Sequence, residues 1–445
     1  MSLVNFERLS EAFARTETVV LEGRVVRATG LLVEASLPRV AVGTACEIHL
    51  PSGRTLPAEV VAFKNNIALL MPFGEMQGIC EGCRVLPRSS AGEIPVGLSL
   101  LGRVVDAAMR PADGGPELLL TGRAPLSASP PPAMSRRRIS RPVSLGVRVL
   151  DTCLTLGEGQ RMGIMAAPGV GKSVLLGMSA RHADADVIVV GLVGERGREV
   201  REFVERDLGP EGLKRSVVIV ATSDEPPLVR VRAAMAATSV AEWFRARGKR
   251  VLLLVDSLSR VCMAQREMGL AAGEPPTAKG YPPSVFSALP RLLERAGNDS
   301  GPGSITALYT VLAEGDDMND PITDAARSIL DGHVVLSRKL AGGNHFPAVD
   351  VLQSVSRVMG EVTTPEHREL SGIVRDQLAA YQEAADLIDV GAYSPGSNPR
   401  VDRALKCRDA LTTFLRQRPE ECFALEETLD QLKRVIQLTP ESRRA

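Results

Sequence analysis

From Arg161 to Ser173 the chain reads Arg-Met-Gly-Ile-Met-Ala-Ala-Pro-Gly-Val-Gly-Lys-Ser, an apolar strand, a glycine-bearing loop and a Lys-Ser pair opening a helix. That order wraps backbone N–H groups around phosphates. Gly169 and Gly171 allow backbone angles closed to other residues, Lys172 brings a point charge to the outer phosphates, and the Ser173 hydroxyl can ligate magnesium. The strict pattern G-x-x-x-x-G-K-[ST] is not met, because its first glycine falls on Ala166. A plain turn before an ordinary helix stays open until other parts of a phosphate site are found.

Two further segments supply such parts. Val251-Leu-Leu-Leu-Val-Asp256 reads as a buried strand ending in a carboxylate, the group that holds magnesium beside a loop serine. Val187-Ile-Val-Val-Gly-Leu-Val193 leads into Gly194-Glu-Arg-Gly-Arg-Glu199, which puts Glu195 and Glu199 at a strand edge. A glutamate there can orient and deprotonate water in line with a terminal phosphate. The same carboxylates could pair with Arg196, Arg198 and Arg201 on a helix surface, and spacing does not choose between the two. Arg357, after the alternating run Val349–Ser356, is either a surface ion-pair partner or an arginine finger set against a neighbour's nucleotide. A finger adds about 10³ to 10⁵ in rate and demands an oligomer.

Those residues need strands that end in a common crevice. Val187–Val193, Ser216–Val220, Val251–Val255 and Ile305–Val311 are apolar enough to be central strands of a parallel sheet covered on both faces. Before them, from Thr18 to about Leu86, short alternating stretches broken by Gly30, Gly43, Pro51-Ser-Gly53 and Asn65-Asn66 predict a small β-barrel. Phe6, Leu9 and Phe13 recur at helical spacing ahead of it. A Pro-rich stretch, Ser127–Pro132, and the basic run Arg136–Arg141 mark a connection, the run being read as a solvated loop. Beyond Gly360 the period turns helical. Thr364 caps a helix carrying Leu370, Ile373, Val374, Leu378 and Tyr381, and two more follow after the Ser394–Pro399 loop. The expected α/β architecture is an N-terminal β-barrel domain with its short leading helix over 1–95, a P-loop parallel-sheet domain over 96–345, and a C-terminal helical domain over 346–445.

Composition narrows the partners. Lys+Arg and Asp+Glu both number 53, so no overall charge draws the chain to nucleic acid or an anionic membrane. Aromatic residues make up 3% of the chain, and before residue 100 only Phe6, Phe13, Phe63 and Phe73 could stack on bases. No apolar stretch approaches a bilayer's width and no signal-peptide core opens the chain, which predicts a soluble cytoplasmic protein. Seven scattered cysteines do not form a disulfide framework. Cys80 and Cys83 make one C-x-x-C with no second pair and no nearby His, so a turn bearing two reduced thiols is preferred to zinc.

With Met162-Gly-Ile before the loop, Gly194-Glu-Arg after the second strand and Ser354-Val-Ser-Arg357 near the end, the chain resembles the rotary ATP synthase catalytic-subunit superfamily, whose core is RecA-like. Val190–Val200, Asp256-Ser-Leu-Ser-Arg260, Ala264-Gln-Arg-Glu267, Gly273–Phe286, Thr310–Asp317 and Asp331–Arg338 resemble, more narrowly, the flagellar and type III protein-export ATPases, and the likeness runs from about Gly23 to Leu438. The resemblance implies ATP and Mg2+ as ligands. It places the phosphates on the loop Ala166, Ala167, Pro168, Gly169, Val170, Gly171, Lys172, Ser173 and Val174, and the magnesium on Ser173 and Asp256. Lys172, Glu195, Arg196, Asp256 and Arg357 become catalytic, with Glu195 the carboxylate and Arg357 the finger, while Phe346 stacks on adenine. It further implies a homohexamer at the cytoplasmic face of an export apparatus, with possible peripheral membrane association and no nucleic acid. By the same resemblance a dimeric negative regulator is expected at the N-terminus, and a central stalk, the export gate and chaperone-substrate complexes as further partners.

The wording of Gln160–Ile164 and Val174–Met178 favours the flagellar branch over virulence secretion; a rotary synthase subunit is disfavoured because one chain carries both Glu195 and Arg357, and a terminator-type RNA helicase because the barrel is poor in aromatics and the charge is balanced. Relatives commonly read Ala-Gly-Ser-Gly-Val-Gly-Lys-Ser, whereas this chain has Ala167 and Pro168; the proline removes one backbone donor from the loop.

Overall fold

The computed structural model describes residues 21–88, 92–313 and 320–437. The helix expected around Phe6, Leu9 and Phe13, and Glu314–Asp317 of the Thr310–Asp317 motif, lie outside the described residues.

The chain divides into two compact units. In the first, six antiparallel strands, β1 (Gly23–Thr29), β2 (Leu32–Ser36), β3 (Ala45–His49), β4 (Thr55–Lys64), β5 (Ile67–Pro72) and β6 (Arg84–Pro87), close a barrel in the order β1-β2-β5-β4-β3-β6. Alternation decides what fills it: Val33, Ala35, Ile48, Ala58, Val60, Leu70 and Val85 point inward and are buried. Asn65 and Asn66 both take positive φ, 50° and 63°, as a two-residue turn between β4 and β5 requires.

The second unit is built on an eight-stranded sheet. Its spatial order is Val349–Ser356, Gly332–Leu336, Arg161–Ala166, Ser304–Leu312, Arg250–Asp256, Val187–Glu195, Ser216–Thr222 and Arg103–Asp106. All pairings are parallel except that of the Val349–Ser356 edge strand, which is antiparallel to its neighbour. The continuous apolar runs follow from burial on both faces. Val189, Val193, Leu253, Val255, Ala307 and Tyr309 face the Pro227–Arg245 helix side, whereas Ile188, Val190, Leu252, Leu254 and Leu308 face the side of the Lys172–His182 helix.

The helices Pro365–Asp389, Pro399–Leu415 and Leu425–Gln437 belong to this same unit and contribute Val374, Leu411, Phe414 and Leu432 to the second core. Thr364 caps the first of them, its hydroxyl accepting from the His367 N–H at 3.2 Å. The basic run is not a solvated loop throughout. Arg136 donates to the carbonyls of Glu294 and Ala296, and Arg137 to those of Pro302 and Gly303, which straps the segment onto the unit.

Candidate active site

Four adjacent strands of the sheet deliver side chains to one crevice at their carboxyl ends, the position where open parallel sheets bind ligands. The Arg161–Ala166 strand runs into the loop Ala167-Pro168-Gly169-Val170-Gly171, and the helix starts at Lys172. Ala166, Ala167 and Val170 are buried, Pro168 and Gly169 exposed, Ser173 and Val174 half-buried. Gly169 and Gly171 take φ of 81° and 87°, the left-handed region that side chains resist.

The Lys172 ammonium lies 2.5 Å from Asp256 Oδ1 and 3.3 Å from Glu195 Oε1. Thr310, on the strand between the loop strand and that of Asp256, donates its hydroxyl to the same Asp256 Oδ1 at 2.6 Å. In the sequence this residue stood within a buried strand and at the head of the Thr310–Asp317 motif, with no role assigned to it. Gly194 bends the chain into Glu195 with φ 73°, and a Cβ there would stand 2.8 Å from Arg260 Cβ. Arg260 therefore packs against the turn that aims Glu195, and among the described residues its buried Nε has no hydrogen-bond partner.

The electrostatics separate the two glutamates. Burial, then the negative charge of Asp256, raise the Glu195 carboxyl to about 7, with Lys172 pulling the other way. Glu195 also hydrogen-bonds Glu199, which lowers Glu199, so the proton shared by the pair resides on Glu195. Desolvation disfavours the Lys172 ammonium, but Asp256 and Glu195 outweigh it and raise that group. Glu195 thus belongs to the crevice. Arg196 is exposed and pairs with Glu199 at 3.3 Å, while Arg201 pairs with Glu205 at 2.7 Å. The buried Asp256 carboxylate and the hydroxyl next to Lys172 are hard oxygen donors, a set that suits Mg2+ completed by phosphate oxygens and water.

Beside the loop lies a cavity of about 380 Å³ walled by Gly169, Gly171, Val174, Phe346, Pro347 and Pro419. A Cβ on Gly171 would sit 3.3 Å from two Phe346 ring carbons, so the ring closes directly on the loop backbone. Sequence reasoning missed Gln417, which holds this wall in place. Its N–H donates to the Phe346 carbonyl at 2.9 Å, its Oε1 accepts from the Arg148 N–H and its Nε2 donates to the Gly146 carbonyl, both at 2.8 Å.

Arg357 is not in the crevice. Its N–H donates to the Asp331 carbonyl at 3.0 Å and its Nη2 to the Arg327 carbonyl at 3.1 Å. Asp331 also receives the Arg161 N–H, which fixes Arg357 at the amino end of the loop strand. The six residues of that strand separate it from the phosphate loop by about 17 Å at 3.3 Å per residue.

Among the described residues no helix is long and apolar enough to cross a membrane. The ATP synthase alpha/beta family nucleotide-binding domain matches residues 146–356, the beta-barrel domain of that family residues 25–88, and the T3SS EscN ATPase C-terminal domain residues 363–434. The flagellum-specific ATP synthase of Bacillus subtilis is 49% identical over 427 residues, 95% of this chain and 97% of the relative. A type 3 secretion system ATPase of Sinorhizobium fredii is 51% identical over 422 residues, 95% of this chain and 93% of the relative. The assembled ATPase EscN of the enteropathogenic E. coli type III secretion system superposes with a TM-score of 0.88 at 44% identity, covering 93% of this chain and all of that one. In complex with its central stalk EscO the same ATPase gives a TM-score of 0.86.

Proposed function

The chain belongs to the ATP synthase alpha/beta family, and on that premise we propose that it is the ATP hydrolase of a flagellar type III protein-export apparatus. It releases chaperoned substrates and promotes their delivery to the export gate. The observation that carries the reading is the convergence of Lys172, Glu195 and Asp256 at the carboxyl ends of neighbouring strands beside a glycine loop.

The loop N–H groups from Gly169 to Val174 receive the phosphates, and Lys172 exchanges its two carboxylate partners for phosphate oxygens. Ser173 and Asp256 would hold Mg2+, which when bound neutralises charge on the outer phosphates. Released from Lys172, Glu195 in its ionised form takes a proton from the attacking water, with Arg196 beside it and Glu199 as its hydrogen-bond partner. The base stacks on Phe346.

Arg357 stands too far from the phosphate loop of its own chain to serve it, and in the proposed homohexamer it completes the site of an adjacent copy. The stalk complex of EscN supports a central stalk as partner for this chain as well. The N-terminal regulator, the gate, the chaperone-substrate complexes and peripheral attachment at the cytoplasmic face of the apparatus complete the proposal.

Glu195→Gln and Arg357→Ala each abolish turnover while nucleotide binding survives, and turnover of the unaltered protein rises steeply with its concentration. Mixing the two variants restores activity, because about one interface in four then joins an intact Glu195 to an intact Arg357. Verified mixed rings that stay inactive would overturn the shared site.

Virulence secretion is the second reading, since relatives of both kinds are about equally identical to the chain. A strain lacking the gene separates the two by losing motility or effector secretion. A rotary synthase subunit is disfavoured because one chain supplies both Glu195 and Arg357 and needs no alternating partner. RNA-stimulated hydrolysis would favour the helicase instead.

A further inference from the structure

The barrel carries a pair of thiols that the ATP site does not use. Cys80 and Cys83 sit in the turn before β6 with their sulfurs 3.2 Å apart, and the Cys80 N–H donates to Cys83 Sγ at 3.4 Å. The turn is fixed on both sides. Gly82 donates to the Val25 carbonyl at 2.8 Å and Val25 donates to the Cys83 carbonyl at 2.9 Å, which ties the pair to β1. Gly82, with φ 82°, supplies the left-handed step that brings the second thiol back under the first.

Access is unequal. Cys80 is exposed, whereas Cys83 is buried in the barrel core. Among the described residues no group of three or more His, Cys, Asp or Glu gathers around a common point, so the pair lacks the further ligands of a metal cage. Cys46, Cys153, Cys262 and Cys407 are each buried, and Cys422 is exposed without a paired thiol.

We propose that Cys80 and Cys83 form a dithiol–disulfide exchange site that takes low-molecular-weight disulfides such as oxidised glutathione. The Cys80 thiolate attacks one sulfur of the disulfide, forming a mixed disulfide and expelling one thiolate. Cys83 then attacks the Cys80 sulfur, the mixed bond breaks, and the second small thiolate leaves. Two protein thiols are oxidised, one disulfide is reduced to two thiols, and the two protons lost by the protein end on those products. Exposed Cys80 is the entry sulfur and Cys83 the resolving one. The neighbouring Cys83 sulfur holds the Cys80 thiol above its ordinary range, so the first step quickens in mildly alkaline buffer.

The test uses the reduced full-length protein incubated with oxidised glutathione at about pH 8.5, quenched in acid, alkylated and read by peptide mass spectrometry. The expected product is an internal disulfide in the peptide holding both cysteines, while Cys422 stops at a glutathione adduct. In Cys83→Ser the adduct on Cys80 rises about tenfold or more over the unaltered protein, because nothing expels it. In Cys80→Ser the peptide stays largely unreacted. Accumulation of a stable glutathione adduct on Cys80 in the unaltered protein would overturn the proposal, as would an unreacted pair under conditions that modify Cys422. Circular dichroism of each variant checks that the barrel is intact, and the unaltered protein's own product decides the matter if either serine variant fails to fold.

Discussion

If Glu195 takes the proton from water, the rate must follow its ionisation, and the site displaces that ionisation a long way. Burial and Asp256 raise the carboxyl to about 7. Roughly a tenth of free enzyme then carries ionised Glu195 at pH 6 and roughly nine-tenths at pH 8, so kcat/KM rises about tenfold across that interval. A carboxylate at its ordinary value would be ionised throughout and give a flat profile. The sign can be tested independently through Glu199, which accepts the shared proton and so favours the protonated form of Glu195. Glu199→Ala removes that acceptor and a negative charge, the ionised form of Glu195 gains, and the midpoint moves to lower pH. The assay is phosphate release at ATP well below KM, between about pH 5.5 and 8.5, with excess magnesium to keep the nucleotide ionised and oligomer size checked at each point. A flat profile in the unaltered protein, or a midpoint in Glu199→Ala that moves up, would refute the reasoning.

Thr310→Val keeps the shape of a buried residue but removes the hydroxyl bonded to the Asp256 carboxylate. A hydrogen bond to a charged group contributes about 1.5 to 3 kcal/mol, so the denaturation midpoint falls accordingly and kcat/KM drops about 10- to 100-fold. Phe346→Ala removes the ring beside the loop; stacking adds about 0.5 to 1.5 kcal/mol, which predicts a rise of about 2- to 12-fold in the nucleotide Kd with kcat little changed, measured by fluorescent-nucleotide titration. Gly171→Ala forces a side chain into positive φ and against the Phe346 ring, at about 1 to 2 kcal/mol for the backbone alone. Calorimetry should show nucleotide binding weakened about fivefold or more while circular dichroism is unchanged.

What could be read in the sequence depended on whether a residue's partners have a sequence signature. Four central strands were legible because burial on both faces demands unbroken apolar runs, and the structure extends each by only one or two residues, as in Arg250–Asp256 and Ser304–Leu312. Arg103–Asp106 escaped notice, because it is short and bounded by charges. Arg136, Arg137 and Gln417 were misread or passed over for a different reason. Their partners are backbone groups distant in the chain, such as the Gly303 and Gly146 carbonyls, and a carbonyl has no residue type.

The same contrast explains the site. Lys172, Glu195 and Asp256 were legible because each ends or follows a parallel strand, and parallel strands deliver their ends to one side. Arg357 follows the one antiparallel strand of this sheet, Val349–Ser356, whose carboxyl end lies beside the amino ends of the others. A finger carried there is excluded by topology from the crevice that its own chain builds, and no side-chain rotation spans the intervening strand. Such an arginine is either unrelated to hydrolysis or acts on another copy, and the mixing of Glu195→Gln with Arg357→Ala separates these two cases because only the second regains turnover.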